Sequence, residues 1–320
     1  ASLPSTYASW REYGWLHRIL RRRGRILQSA PNLNTKVNLF LFFLASAPWR
    51  NGPALKTTLI SAADPKASPW LAGLIAPVTG ALNKLLNADL RWQALPVPFE
   101  IYADGMELVV FEEFGAGAAA MHIRDELARN ELLATEAYRR RFRADFDKRF
   151  SPRIWHRDFH DAVIIACPDA DLVGRSFGAI AEDRGLHPAD LFLDLVVAHG
   201  SRLRWKTLIA NHRPEVLQSL LADDSIQVGF ADSGAHLRNM GFYNFPLHLL
   251  RMARDTGFIS LEKAVAKLTG ELGSWFGLDA GTLTVGDRAD IAIVDPDGLD
   301  DSLDAYHEAP LSALDGVSRI

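Results

Sequence analysis

Alternation of short apolar runs with amphipathic segments is the feature that most constrains the fold. From residue 151 onward the order is "DAVIIACPD", "LVGRSFGAIAEDRG", "HPADLFLDLVVAHG", "RWKTLIAN", "RPEVLQSLLAD" and "IQVGFADSG". Glycines close the first two helical segments, as helix ends favour. Strands that recur between helices at this interval indicate parallel β/α units. The sequence therefore predicts an α/β fold built as at least part of a TIM-type β/α barrel.

The first 150 residues carry a less regular pattern. A helix is predicted over 7–25, and the apolar runs predict buried strands in "ILQSAPN" (26–32), "KVNLFLFFLAS" (36–46) and "KTTLISAAD" (56–64). Residues 65–150 are predicted to form an irregular, insertion-like region. Within it, the helical periodicity and alternating charges of residues 124–150 predict one long exposed helix.

Composition excludes several classes of function. A formal net charge of −4 gives no electrostatic footprint for nucleic acid. The apolar stretches at 37–48 and 68–86 are too short or too interrupted for a membrane span. The only cysteine, Cys167, excludes an intramolecular disulfide and fits a reducing compartment. We therefore expect a cytoplasmic protein that neither binds nucleic acid nor spans a membrane, while the oligomeric state stays open.

The stretch "VGFADSGAH" (228–236) is the main candidate for chemistry. It places Asp232 behind a buried strand, at the end where β/α barrels carry their reactive groups. Ser233 and Gly234 leave room for a substrate or metal ion to approach the backbone. The alternative is an ordinary turn in which the aspartate caps its own backbone. Asn211 and His212 follow the preceding strand, and one of them is a second candidate for lining the pocket.

Four segments of the C-terminal half resemble the amidohydrolase superfamily, and within it the N-acyl-D-amino-acid deacylases, or D-aminoacylases. They are "SFGAIAEDRGLHPADLFLDLV", "VGFADSGAHL", "LEKAVAKLTGELGSWFGL" and "GTLTVGDRADIAIVDPD". The resemblance is clear over about 172–310. It implies a partial metal-dependent-hydrolase barrel over 1–280 and the start of a small β-sandwich over 281–320.

The resemblance also implies an activity and a set of site residues. The activity is hydrolysis of the amide bond of N-acyl amino acids, with N-acyl-D-amino acids as the implied substrates and one or two zinc ions as cofactor. Amide hydrolysis needs an activated water and a proton donor for the departing nitrogen, and zinc lowers the pKa of a bound water to about 7. Asp232 would be the proton shuttle and a metal ligand. The implied substrate-binding residues are His236, Asn211, Ser233 and Gly234.

The chain departs from the family pattern at the metal ligands. The family's His-x-His pair is absent, and Gln28, Ser61 and Asp64 stand at strand ends where two further histidines are expected. We therefore expect the other ligands upstream of residue 1 and expect these 320 residues to be inactive by themselves; loss of ligands in this branch is the alternative. The pair His156 and His160, in "WHRDFH", is a weaker rival metal site.

Two other functions remain open at this stage. A cyclic-amide hydrolase of the dihydroorotase or hydantoinase kind shares the barrel, the aspartate and the C-terminal motif. A catalytically silent homologue that serves as a binding subunit would account for the missing histidines.

Overall fold

The computed structural model describes residues 10–29, 53–148, 153–229, 231 and 239–307. The strands in these ranges are β1 (Leu27–Ser29), β2 (Thr57–Ala62), β3 (Leu90–Ala94), β4 (Phe99–Asp104), β5 (Ala162–Ala166), β6 (Arg204–Ala210) and β7 (Ile226–Val228). The α-helices are α1 (Trp10–Arg22), α2 (Ala72–Leu86), α3 (Gly115–Met121), α4 (Glu126–Ala134), α5 (Glu136–Phe146), α6 (Phe177–Arg184), α7 (Pro188–His199), α8 (Pro214–Ala222), α9 (Phe245–Thr256), α10 (Leu261–Leu268) and α11 (Gly270–Phe276).

A parallel sheet in the order β1-β2-β3-β7 is the barrel part of the chain. Its outer face carries Leu27, Leu59 and Leu90, which pack with Leu20 of α1 and Leu82 of α2. Burial of these side chains against helices is what stabilises a parallel sheet. The predicted strands at 26–32 and 56–64 are confirmed as β1 and β2, and the predicted strand at 36–46 lies outside the described residues.

Between β3 and α8, the described residues 95–148 and 153–213 form an inserted layer with its own antiparallel sheet, in the order β4-β6-β5, whereas α8 packs on the parallel sheet through Leu217 and Leu221. The prediction that β5 and β6 are parallel strands of β/α units was therefore wrong. An apolar run predicts a buried strand but not its direction, and here β6 pairs with β4 and β5 inside the insertion. The insertion nevertheless begins after β3, and the chain later returns to β7. Because β3 and β7 pair with each other, the parallel sheet stays continuous.

An aromatic core holds the insertion together. Its members are buried, and their rings contact one another in stacked or edge-to-face pairs: Phe111, Phe114, Phe142, Phe146, Trp155, Phe159, Phe177, Phe192 and Trp205. Such pairs add to the free energy gained by burying the rings alone. The insertion is thus a packed unit rather than an irregular loop.

The long helix predicted over 124–150 is two helices, α4 and α5. Thr135 separates them, because its hydroxyl accepts a hydrogen bond from the N–H of Tyr138 at 3.3 Å and donates to the carbonyl of Leu132 at 2.8 Å. The break turns Tyr138, Phe142 and Phe146 into the core, so α5 is only half exposed. A side-chain cap overrides the continuous helical periodicity here.

The C-terminal segment after α11 contains no strand within 277–307, where the sequence predicts short strands. Apolar side chains are exposed at alternate positions in two stretches of it, at Leu283 and Val285 and again at Ile291 and Ile293. The domain boundary at residue 280 and the β-sandwich stay predictions. Across the ranges that the structure describes, no helix has the length and apolarity needed to cross a bilayer.

Candidate functional site

The inner face of the parallel sheet, opposite the leucine cluster, is polar. The strand register aligns Gln28 with Thr58 and Gln93 with Gln227, so these four side chains lie on one face. Gln93 and Gln227 each stand close to the carboxyl end of their strand, with one residue after them. This is the end at which parallel β/α folds bind their ligands.

Three glutamines form what we call the carboxamide cluster: Gln28, Gln93 and Gln227. Nε2 of Gln28 donates to Oε1 of Gln93 at 2.9 Å. Gln227 is 1% exposed, and neither its Nε2 nor its Oε1 has a hydrogen-bond partner. Buried polar groups of folded proteins are almost always paired, so an unpaired carboxamide at this position points to a partner that is not part of the described residues.

The amino-terminal end of the inner face is closed by Trp275 of α11. Its Nε1 donates to Oγ1 of Thr58 at 2.9 Å, and the guanidinium of Arg91 lies 4.3 Å from the ring centroid. Trp275 therefore covers the amino-terminal part of the inner face. Gln28 is level with Thr58 and Arg91 in the strand register, and Gln93 lies two residues after Arg91, closer to the carboxyl end.

Phe230 and residues 232–238 lie outside the described residues, so the roles of Asp232, Ser233, Gly234 and His236 stay predictions. The residues on both sides of this loop are described. Asn239 donates from Nδ2 to the carbonyls of Tyr102 and Glu107 at 2.8 and 3.0 Å, and its own carbonyl accepts from the N–H of Tyr102 at 2.9 Å. The chain thus leaves the parallel sheet after β7, and Asn239, where description resumes, is bonded to β4 of the insertion.

Asn211 joins three strand ends. Its Oδ1 accepts from the N–H of Asp64 at 3.0 Å, and its Nδ2 donates to the carbonyls of Leu95 and Val97 at 3.0 and 2.9 Å. Its backbone N–H donates to the carbonyl of Asp64 at 2.8 Å. At 2% exposure and with φ of +61°, it is a buried residue in the left-handed conformation that asparagine tolerates best among non-glycine residues. The structure shows a scaffold role; the substrate contact stays a prediction.

Asp64 belongs to the same junction and is fully buried. Both of its carboxylate oxygens accept from Arg213, from Nε at 2.9 Å and from Nη2 in a shorter contact. Nδ1 of His212 lies 3.4 Å from the same carboxylate. The bidentate pair uses the acceptor capacity that a metal ion would need.

The described residues do not fit a zinc site. Zinc is held by histidine, cysteine or carboxylate side chains, and the described part of the chain contains no group of three such residues close enough to share an ion. The strand ends carry carboxamides, a hydroxyl and the already paired Asp64. The rival pair is also separated: Nε2 of His156 lies 2.9 Å from Oδ2 of Asp161, whereas His160 faces Glu182 at 3.5 Å.

Two buried titratable groups lie in the insertion. Burial raises the pKa of Glu113 to about 7, although its Oε1 accepts from the N–H of Ile154 at 2.8 Å. Burial lowers the pKa of His156, against the opposing pull of Asp161. Glu113 accepts hydrogen bonds from the segment that carries Trp155 of the aromatic core, whereas Asp161, the partner of His156, also pairs with Lys66, which follows Asp64 after β2.

Sequence reasoning singled out Gln28 but missed Gln93 and Gln227. A signal was present, since each is a single amide inside an apolar run, "LRWQALP" and "IQVGF". Polar residues inside buried strands are exceptions that call for a partner. What the sequence cannot show is that the strand register brings the three amides together.

Comparison with known proteins gives two kinds of relative. An uncharacterised protein of Mycobacterium tuberculosis strain H37Rv, and one of Mycobacterium bovis, are 54% identical over 327 residues, which is all of this chain and 54% of theirs. D-aminoacylase of Alcaligenes xylosoxydans is 31% identical over 164 residues, 49% of this chain and 32% of that enzyme. The chain thus spans about half the length of the curated relatives it matches over its full extent. No family model matches it.

One solved structure supports the fold. The N-acyl-D-glutamate deacylase of Bordetella bronchiseptica, solved with zinc and a phosphonate inhibitor, superimposes with a TM-score of 0.50 at 15% identity, over 90% of this chain and 50% of that one. A D-aminoacylase structure gives 0.47 at 18% identity over the same shares. The predicted resemblance to D-aminoacylases and the partial α/β barrel are confirmed.

Proposed function

We propose that this chain is the part of a metal-dependent amidohydrolase that carries the last barrel strands, and that the whole protein hydrolyses the amide bond of N-acyl amino acids. The observation that carries the proposal is the sequence match to D-aminoacylase, 31% identity over 164 residues. The parallel sheet supports it, because β7 is followed directly by the loop that contains Asp232.

Asp232 is the proposed proton shuttle. A carboxylate at a barrel mouth can accept the proton of the attacking water and deliver it to the nitrogen of the departing amine, which would otherwise leave as a poor anionic group. The anchoring of Asn239 to β4 supports this role, since both flanks of the loop are then held in place. His236, Ser233 and Gly234 are proposed to contact the substrate from the same loop.

A zinc ion, if bound, would supply the polarised carbonyl and the acidified water of such reactions. Because the described strand ends do not form a ligand set, its ligands would be Asp232 and residues outside the described ranges. N-acyl-D-amino acids are the proposed substrates. The cytoplasm is the proposed location, because a single cysteine, Cys167, suits a reducing compartment.

The test is release of free amino acid from a panel of N-acetyl-D- and N-acetyl-L-amino acids by the full-length natural protein supplied with zinc. Asp232→Asn keeps the shape of the side chain but removes the base, so the turnover rate should fall by a factor of about 10² to 10⁴. The matched control is Asp224→Asn, because Asp224 is exposed and pairs only with Lys263 among the described contacts. Absence of turnover across the whole panel, or an Asp232→Asn variant as active as the control, would refute the proposal.

A catalytically silent binding protein is the second candidate. The carboxamide cluster favours it, because the described carboxyl ends of the parallel strands carry neutral amides and no group of three metal-ligating side chains. Metal analysis separates the two candidates: a hydrolase purifies with stoichiometric metal, and a silent homologue does not. Ring opening of hydantoin or dihydroorotate without deacylation would instead indicate a cyclic-amide hydrolase.

A further inference from the structure

We infer that the carboxamide cluster is a binding site for the amide group of an N-acylated ligand and contributes no ligand to a metal ion. The inference rests on the proposed function and deepens it, because it states which groups of the barrel mouth hold the substrate's amide. It concerns Gln28, Gln93 and Gln227, none of which the motif resemblance assigns to a role in substrate binding.

The hydrogen-bonding state of the cluster is the first argument. Gln93 is 3% exposed and is held by Gln28, so its amide is oriented before any ligand arrives. Gln227, its neighbour in the register, keeps both its Nε2 amino group and its Oε1 oxygen unpaired. A secondary amide offers one N–H and one C=O, which is the complement that a free carboxamide requires.

Access to the cluster is the second argument. Gln28 lies on strand β1, at the end of the described strand order, and is exposed, whereas Gln93 and Gln227 are buried, so Gln28 is the solvent-facing member of the cluster. Gly229 follows β7, and a Cβ placed on it would lie 3.6 Å from Nε2 of Gln93 and 3.7 Å from Leu272. The backbone of Gly229 therefore lies directly beside the amide of Gln93, at the carboxyl end of β7.

The chemistry of the donors is the third argument. Zinc sites are built from imidazole, thiolate and carboxylate groups, whereas neutral carboxamides serve as hydrogen-bonding partners or as weak ligands for harder cations. The cationic groups of Arg91 and Lys56 both lie over the ring of Trp275. A neutral amide thus fits the cluster better than a metal ion or a free carboxylate.

The experiment measures binding rather than turnover. Isothermal titration calorimetry on the full-length natural protein compares N-acetyl-D-alanine with D-alanine, and elemental mass spectrometry gives the zinc content of each variant. Gln93→Leu and Gln227→Leu should weaken binding of N-acetyl-D-alanine at least about tenfold, the discrimination expected when a buried hydrogen bond is lost. Binding of D-alanine and the zinc content should not change. Gln218→Leu, on α8, is the matched control.

A second substitution guards against a folding defect. Gln93→Glu keeps size and acceptors but removes the donor, so it should also weaken binding while thermal unfolding remains cooperative. Unchanged affinity in Gln93→Leu and Gln227→Leu, a loss of zinc in either, or no binding of N-acetyl, N-formyl or N-propionyl D-amino acids to the wild type would overturn the inference.

The two proposals fail in different ways. Binding that depends on the cluster, without release of free amino acid, supports the amide site and refutes the hydrolase. Hydrolysis with cluster variants that bind as tightly as the wild type supports the hydrolase and refutes the amide site.

Discussion

Removal of the Asn211 side chain should destabilise the fold more than any other single amide substitution at the strand ends. In Asn211→Ala, the N–H of Asp64 and the carbonyls of Leu95 and Val97 lose their partners in a region that water does not reach. Each hydrogen bond contributes about 1 kcal/mol net, and alanine tolerates the positive φ less well, at about 1 kcal/mol. The expected loss is about 4 kcal/mol of unfolding free energy.

Asn211→Asp is the sharper variant because it keeps the size and the acceptor. Its second carboxylate oxygen would face two carbonyl oxygens and lie near the buried Asp64, so the loss should be at least as large as in Asn211→Ala. The assay is urea unfolding followed by circular dichroism at pH 7. His212→Ala is the control, since His212 is half-buried and only approaches Asp64 at 3.4 Å.

A loss below about 1 kcal/mol in both Asn211 variants would refute the reasoning, because it would mean that the junction does not hold the strand ends together. Equal losses in Asn211→Ala and His212→Ala would do the same, since the effect would then belong to the segment and not to the amide.

Two pH-dependent effects follow from buried charges. The pKa of Glu113 is about 7 in the folded state against an ordinary 4.5, so the folded protein keeps a proton that the unfolded chain releases. The free energy of unfolding should therefore fall by up to about 3 kcal/mol as the pH rises from 4.5 to 7. Glu113→Gln should remove this pH dependence in urea titrations, and an unchanged pH dependence would contradict the assignment. Burial lowers the pKa of Lys267, whose Nζ donates to the carbonyls of Asp223 and Ile226 at 2.8 and 2.9 Å, so stability should rise as the pH approaches the ordinary value of 10.5. Lys267→Met should abolish this rise in thermal unfolding at alkaline pH, whereas Lys263→Met, at a half-buried position, should retain it.

The sequence predicted those elements whose local signals agree with their tertiary surroundings. Helices α6 and α7 end at Gly185 and Gly200, both with positive φ, and their periodicity was readable because one face of each is buried. The strands β1, β2 and β7 were readable as apolar runs bounded by turns. These features are local, and nothing distant in the chain overrides them.

Other features depend on contacts that a single sequence does not show. The direction of β6 is fixed by pairing with β4, about 100 residues earlier, and by the junction of Asn211 with Asp64, 147 residues away. The capping of Thr135 interrupts a periodicity that continues on both sides. The carboxamide cluster requires β1, β3 and β7 to be adjacent, which only the strand order establishes.

The hydrogen bonds between Asn239 and β4 bear on how such a protein can evolve. An insertion tied to its host at a single point can be lost, enlarged or exchanged without consequence for the host. Here Tyr102 and Glu107 of the inserted layer also form hydrogen bonds with Asn239, which follows the segment that contains Asp232. Recombination that replaced this layer would have to bring a matching loop with it, so the two segments are expected to be inherited as one module.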